Sequence, residues 1–396
     1  MPSLAHSLAC LTLVSAFALA APIASAVEAS SADDDAIARN SARVKQLELQ
    51  MPLGPRSARS LGLRVAWRNP INTDSVVGLF VSNGAIFVVD RDHEVTMFNQ
   101  DTGQKRWVGF GAGGNDIIID VVHVPSAEKV LVVRTNSILT VSATTGIPMV
   151  HGATQSSVQP LEWIAATAGT LRGDAYIYGG LAGELVWQGW GMGFSTRAHR
   201  IGRRIESQPI VAGNAVIAAS RSGTLAALDI NTGALLWKKK LFDGVSGVPS
   251  ATPSMVAVAS RDQHLRMFNV QDGSLKWSKL YKVPLMSGPT ILDGAVYQHV
   301  PGVGLVKMQA APQNSPGGVE EWAAAAVHGD VIGTVGNLLL TWAPSVKQLQ
   351  TVSINTGSVD ASVSAPSIKR LISKDGIVLL LGGDGELECL LPAFQR

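Results

Sequence analysis

Apolar residues along this chain fall in short runs, broken at regular intervals by Gly, Asn, Asp and Ser. Residues 214–220 form one such run, and Arg221-Ser222-Gly223 interrupts it. Residues 224–230 form a second, closed by Asn231-Thr232-Gly233, and residues 234–238 a third that ends at Trp237 and Lys238. Runs of this length bounded by turn residues predict β-strands, not helices. Residues 207–211, just upstream, predict a fourth and innermost strand of the same unit.

The unit recurs. VVDRDHEVTMFNQDTG (88–103), AASRSGTLAALDINTG (218–233) and VASRDQHLRMFNVQDG (258–273) align without gaps, each followed by three residues and a Trp: Trp107, Trp237 and Trp277. Residues 131–146 match without the Trp, and 178–193 match more weakly. Gly318 to Trp322 repeats the ending, and 349–357 repeats the half that precedes it. The terminal glycines are therefore 103, 146, 193, 233, 273, 318 and 357, spaced 39 to 47 residues apart. Such a Gly suits a turn position with positive φ, where a Cβ is disfavoured. Four strands in ~40 residues is one propeller blade. The Trp offers a large apolar area for packing between blades.

A ring of blades must close, because open sheet edges and unsealed blade faces are costly. An eighth unit starts at Ile377, with Gly385 matching Gly223, but ends before a fourth strand. Leu63 to Trp67, at the other end of the chain, resembles that missing strand, with Trp67 in the Trp position. The fold class expected is therefore all-β: an eight-bladed β-propeller of four-stranded antiparallel blades, spanning 61–396 and closed by an N-terminal strand.

The first 60 residues differ. Residues 8–21 are apolar and uncharged, and Ala24-Ser25-Ala26 fits a cleavage site, so 1–26 reads as a secretory signal peptide despite an n-region without Lys or Arg. Residues 27–60 read as a tail or linker with a short helix over 36–50, ended by Pro52, Gly54 and Pro55. No later segment supplies ~18 uninterrupted apolar residues, so no transmembrane segment is expected in the mature chain. Of the two cysteines, Cys10 falls within the signal and precedes most of its apolar run. Cys389, among Leu387, Leu390 and Leu391, reads as a buried thiol.

Composition narrows the chemistry. With 46% hydrophobic and 16% charged residues the chain is not disordered, and a net charge of +2 argues against nucleic acid. The histidines (93, 123, 151, 199, 264, 299, 328) show no metal-ligand spacing, and no motif gathers a Ser, His and Asp. Gly109 to Gly114 carries a G-x-G-x-x-G spacing, but strand-forming residues follow where a dinucleotide site needs a helix. Residues 312–318 lengthen the sixth unit's turn.

The repeat A-L-D-x-x-T-G-x-x-x-W, best copied at 226–237, resembles the PQQ-like-repeat β-propeller family over roughly residues 63–392. The resemblance implies the eight-bladed ring. It leaves two branches open. The BamB branch, similar in length, export and N-terminal closure, implies a non-catalytic scaffold for protein partners in the bacterial envelope, in outer-membrane protein assembly. It implies location in the periplasm or at the outer-membrane periphery. This chain lacks a lipid-attachment cysteine after its apolar run. The quinoprotein dehydrogenase branch implies PQQ, calcium and a pair of neighbouring cysteines. No such pair is present, so no cofactor is expected. A propeller binding a small molecule or glycan in its channel is a third alternative, and a monomer is the expected state.

Candidate partner-binding residues are few. Arg91, Arg134, Arg221 and Arg261 share one repeat position, the turn between the second and third strands, and guanidinium groups on one rim could hold acidic peptide. Caps on local carbonyls or pairs with Asp92 and Asp262 explain them as well. Trp187, Trp190 and Phe194 cluster where the repeat is least regular; an aromatic surface at Trp190 and core packing at Trp187 are the competing readings.

Overall fold

The computed structural model describes residues 23–72, 74–111, 116–150, 156–191, 195–313, 315–383 and 385–393, without the side chains of 23–32, 49 and 50. Most of the signal segment, with Cys10, lies outside the described residues, as do 112–115, His151, Phe194 and the turn Gly193.

Among the described residues, thirty-two strands form eight four-stranded sheets. Strands A to D of each blade run outward from the axis, where A strands of neighbouring blades approach one another. Blade 1 comprises Val76–Ser82, Ala85–Asp90, Glu94–Asn99 and Lys105–Phe110. Blade 2 comprises Ile118–Val124, Lys129–Arg134, Ser137–Ser142 and Val158–Pro160. Blade 3 comprises Thr170–Arg172, Ala175–Gly179, Glu184–Gly189 and Thr196–Arg200. Blade 4 comprises Ile210–Ala212, Ala215–Ala219, Thr224–Asp229 and Leu235–Lys240. Blade 5 comprises Ser250–Ala251, Met255–Ala259, His264–Asn269 and Leu275–Leu280. Blade 6 comprises Thr290–Leu292, Ala295–Val300, Gly304–Gln309 and Glu320–Ala324. Blade 7 comprises Asp330–Val335, Leu338–Ala343, Gln348–Ser353 and Val359–Ser364. Blade 8 takes Ile368–Lys374, Ile377–Gly382 and Glu386–Pro392 from the C-terminal end and strand D, Leu63–Pro70, from the N-terminal end. Leu63 pairs with Pro392 and Pro70 with Glu386, so the expected closure is what the ring uses. The innermost strand expected at 207–211 forms at Ile210–Ala212, three residues long.

The repeat motif is explained by two contacts. In the turn before Gly233, Asp229 Oδ1 accepts from the amides of Asn231 (3.0 Å) and Thr232 (2.7 Å) and from the Thr232 hydroxyl (2.8 Å). These bonds hold the Asp229 carboxyl below the usual range. Gly233 then takes φ 72°, which only Gly adopts cheaply. The Trp acts on the next blade. Trp237 Nε1 donates to Val270 O at 2.6 Å, and its ring lies where a Cβ on Gly273 would come within 2.6 Å. The same pairing joins Trp67 to Gly103, Trp107 to Gly146, Trp277 to Gly318 and Trp322 to Gly357.

The N-terminal segment is more structured than a linker. Helix α1, Ile23–Gln50, extends well beyond the expected 36–50, and its residues 33–43 are exposed. Pro55 opens a second helix, α2 (Pro55–Ser60), instead of only ending the first, as the fixed φ of Pro allows at a first turn. Glu48 joins the two: its carboxylate accepts from the amides of Arg56 and Ser57 and from the Ser57 hydroxyl. Leu53, Ala58 and Leu61 are buried against Leu340 and Leu349 of blade 7 and Val378, Leu380 and Leu390 of blade 8.

Candidate docking face

The two faces of the ring are built differently. On one, B–C turns bond to neighbouring D–A loops, as Gly111 N does to His93 O (2.8 Å), Leu181 N to Ile164 O (3.0 Å), Arg261 N to Gly244 O (2.9 Å) and Ile71 N to Gly385 O (2.7 Å). This face carries exposed apolar side chains on its rim. Phe242 is 93% exposed, and Phe110, Ile117, Ile164, Leu181 and Met286 are each more than two-fifths exposed. They come from the loops leaving blades 1, 2, 4 and 5 and the B–C turn of blade 3. Large exposed apolar side chains gathered on one face mark a candidate interaction surface.

All four candidate arginines lie on this face, in different states. Arg134 is buried; its Nε donates to Gly111 O at 2.8 Å and its Nη1 lies 3.4 Å from Asp116, while burial lowers its pKa. Arg261 Nη2 donates to Arg221 O and to Asp243, both at 3.3 Å. Arg221 extends into solvent, 3.4 Å from Glu206. Arg91 is exposed. Asp262, named as a partner for such arginines, is bonded instead to Arg266. Trp190 is 8% exposed, packed with Tyr176 and Tyr178 beneath Lys129 Nζ at 5.8 Å. Trp187 is 2% exposed and donates to Ile230 O at 2.8 Å.

Blade 5 does bring a Ser, an Asp and a His together, which sequence spacing had not singled out. Ser260 Oγ donates to Asp262 Oδ1 at 2.5 Å, and Arg266 Nη1 donates to both, each at 2.8 Å. Burial alone would raise the Asp262 pKa, but the bonds from Arg266 and Ser260 outweigh it and hold the carboxyl at about 2. The serine hydroxyl faces the carboxylate, not the imidazole of His264, so the cluster has no nucleophile–base pair. It ties down a B–C turn.

The channel holds a polar knot. Asp120 accepts from the Tyr176 hydroxyl (2.8 Å) and Gly169 N (3.1 Å), and burial pushes its carboxyl up. Gln208 Nε2 donates to Gly169 O (2.5 Å), and Lys374 Nζ to Val81 O (2.7 Å), around a cavity of about 480 Å³. Each of these groups that line the cavity already has a hydrogen-bond partner in the protein. Among the described residues no three His, Cys, Asp or Glu side chains could hold a metal ion, and no helix is long and apolar enough to cross a membrane.

Sequence reading missed the exposed apolar loop residues. The one available signal was a large apolar residue inside a Gly-containing loop between strands, as Phe242 is within 241–247.

Eight four-stranded blades, most of them joined by Trp–Gly contacts, define an eight-bladed propeller of PQQ-like repeats. Residues 63–148 and 171–311 match the family described as outer membrane protein assembly factor BamB, and the chain belongs to that family. The outer membrane protein assembly factor BamB of Yersinia pestis is 29% identical over 103 residues. That match covers 23% of this chain and 26% of the relative's length. BamB from Moraxella catarrhalis superposes with a TM-score of 0.64 at 16% identity, covering 84% of this chain and 99% of that one. The computationally designed Ika8 protein superposes at 0.60 and 14% identity, covering 81% and 96%. At these identities the two structures speak to the fold alone.

Proposed function

We propose that this chain is an exported, non-catalytic scaffold of the bacterial envelope that takes part in outer-membrane protein assembly. It acts in the periplasm or at the outer-membrane periphery, as a monomer, with no bound cofactor. It presents the face of B–C turns and D–A loops to a protein partner. The observation that carries this reading is the exposed apolar rim, with Phe242 at 93%, on loops that the rigid ring holds in fixed positions. Family membership supports a protein partner; the rim supports where it docks. Exposed Arg221 and Arg91 would add carboxylate contacts at its edge.

Mild crosslinking in the native envelope, followed by affinity capture and mass spectrometry, tests it. The triple variant Ile164→Asp, Leu181→Asp, Phe242→Asp is expected to lose the captured outer-membrane assembly protein while melting as the parent does. Equal capture by parent and variant would overturn the docking face.

A further inference from the structure

The A strands divide the ring in two. In blades 3 to 6 they are two or three residues long and unbulged, whereas in blades 7, 8, 1 and 2 they are six or seven residues long, each with a β-bulge near its start. A bulge sets two residues opposite one and re-aims a side chain. Where the bulged entries of blades 8, 1 and 2 meet, on the docking face, they leave a cavity of about 390 Å³. Phe80, Val89 and Ile118 give it apolar walls, and exposed Ile117 stands at its mouth. Gly78 contributes no side chain; a Cβ there would meet the Phe80 ring at 2.8 Å.

The charged or ionisable side chains lining this cavity are Arg91, His93 and Arg370. Arg370 is anchored by one bond, Nη1 to Val77 O at 2.7 Å, which leaves the rest of its fork free. Asp74 is already bonded to Lys369 Nζ at 2.7 Å. Asp116 is likewise paired with Arg134. Two guanidinium groups over an apolar floor match one carboxylate beside one apolar side chain. Asp92, on the same turn as Arg91, and Glu94, which opens the next strand, are exposed and would repel a run of acids.

We infer that this cavity is a peptide-anchor site that takes a single carboxylate next to an aromatic or aliphatic side chain of a partner protein. The inference rests on the docking reading above and specifies the partner's chemistry at a sector away from Phe242.

The probes are acetyl-Gly-Asp-Phe-Gly-amide and its Asn counterpart, followed by methyl NMR of the full chain. Saturable shifts are expected at the Ile117 and Ile118 methyls with the Asp peptide. Binding should fall at least tenfold with the Asn peptide, and equally in Arg91→Gln/Arg370→Gln, whose exposed side chains leave the fold intact. Equal binding of the two peptides, or no shift at these methyls at millimolar peptide, overturns the site. Envelope capture by the arginine variant separates the two proposals. Capture that persists while the Asp peptide fails to bind the parent removes the anchor and leaves the docking face standing.

Discussion

Two kinds of junction hold the ring together. Six junctions use a Trp from one blade laid on the turn glycine of the next, with the indole N–H bonded to a carbonyl beyond it. Two lack it. Between blades 7 and 8, Ala361 occupies the Trp position, and the N-terminal residues Leu53, Ala58 and Leu61 fill the space from outside the repeat. Between blades 2 and 3, Val150 stands four residues after Gly146 and is exposed, and Trp190 packs back from blade 3. Its Nε1 is buried without a hydrogen-bond partner among the described residues. The comparison teaches that the motif belongs to interfaces, not to blades. Where it is missing, some other segment seals the seam.

Three experiments press on that contrast. The largest effect is expected from deleting residues 51–70, which removes both the seal of the 7/8 junction and strand D of blade 8. Circular dichroism on heating should then show no cooperative transition near the parent's; an unchanged one would refute closure by this segment. Next comes Trp237→Ala. It removes a buried indole and a made hydrogen bond, so a loss of about 3–5 kcal/mol is expected in urea unfolding. Trp190→Ala should cost less, because the indole N–H it deletes is already unpaired and carries a penalty of about 1–3 kcal/mol. Equal losses would erase the distinction between the junction types.

The smallest effect concerns Glu388. Its Oε2 accepts from Leu53 N at 3.1 Å, and burial pushes its pKa up to about 8. The folded state therefore favours the neutral acid. Its contribution is fully present below the unfolded value of 4.5 and is lost as pH rises toward about 8. Glu388→Gln should flatten the dependence of melting temperature on pH across that window and raise stability at its upper end. A slope identical to the parent's would mean that this carboxyl does not titrate with unfolding.

Most of the ring was legible because most blades repeat the same solution: an Asp, Asn or Ser capping a turn, a Gly at positive φ and, at most junctions, a Trp. Gapless repetition exposes such residues at once. The closing strand was legible for the same reason, since Trp67 carries the mark of a unit that the C-terminal end leaves unfinished. Three features were not. Trp187 does the joining work of Trp237 from strand C instead of strand D, with Arg197 at the outer position, and a shift between neighbouring strands breaks the spacing that repeats rely on. Residues 51–60 read as part of a tail or linker because Pro and Gly punctuate them, and their burial depends on blades 7 and 8, far along the chain. The anchor cavity escaped because bulges are properties of pairing, and Arg370 lies outside the repeat position of the other four arginines.

The partnership of Leu63 with Pro392 has a bearing on the order of events as the protein is made. A chain synthesised from its N-terminus holds Leu63–Pro70 in hand through every other blade. That strand finds its neighbour only when residues 386–392 arrive. Closing so long a loop carries an entropic cost that no local contact offsets beforehand. Long-range pairing of this kind is slow. Until it forms, blade 8 keeps a bare edge, and the nascent chain is open to capture by any extended segment within reach.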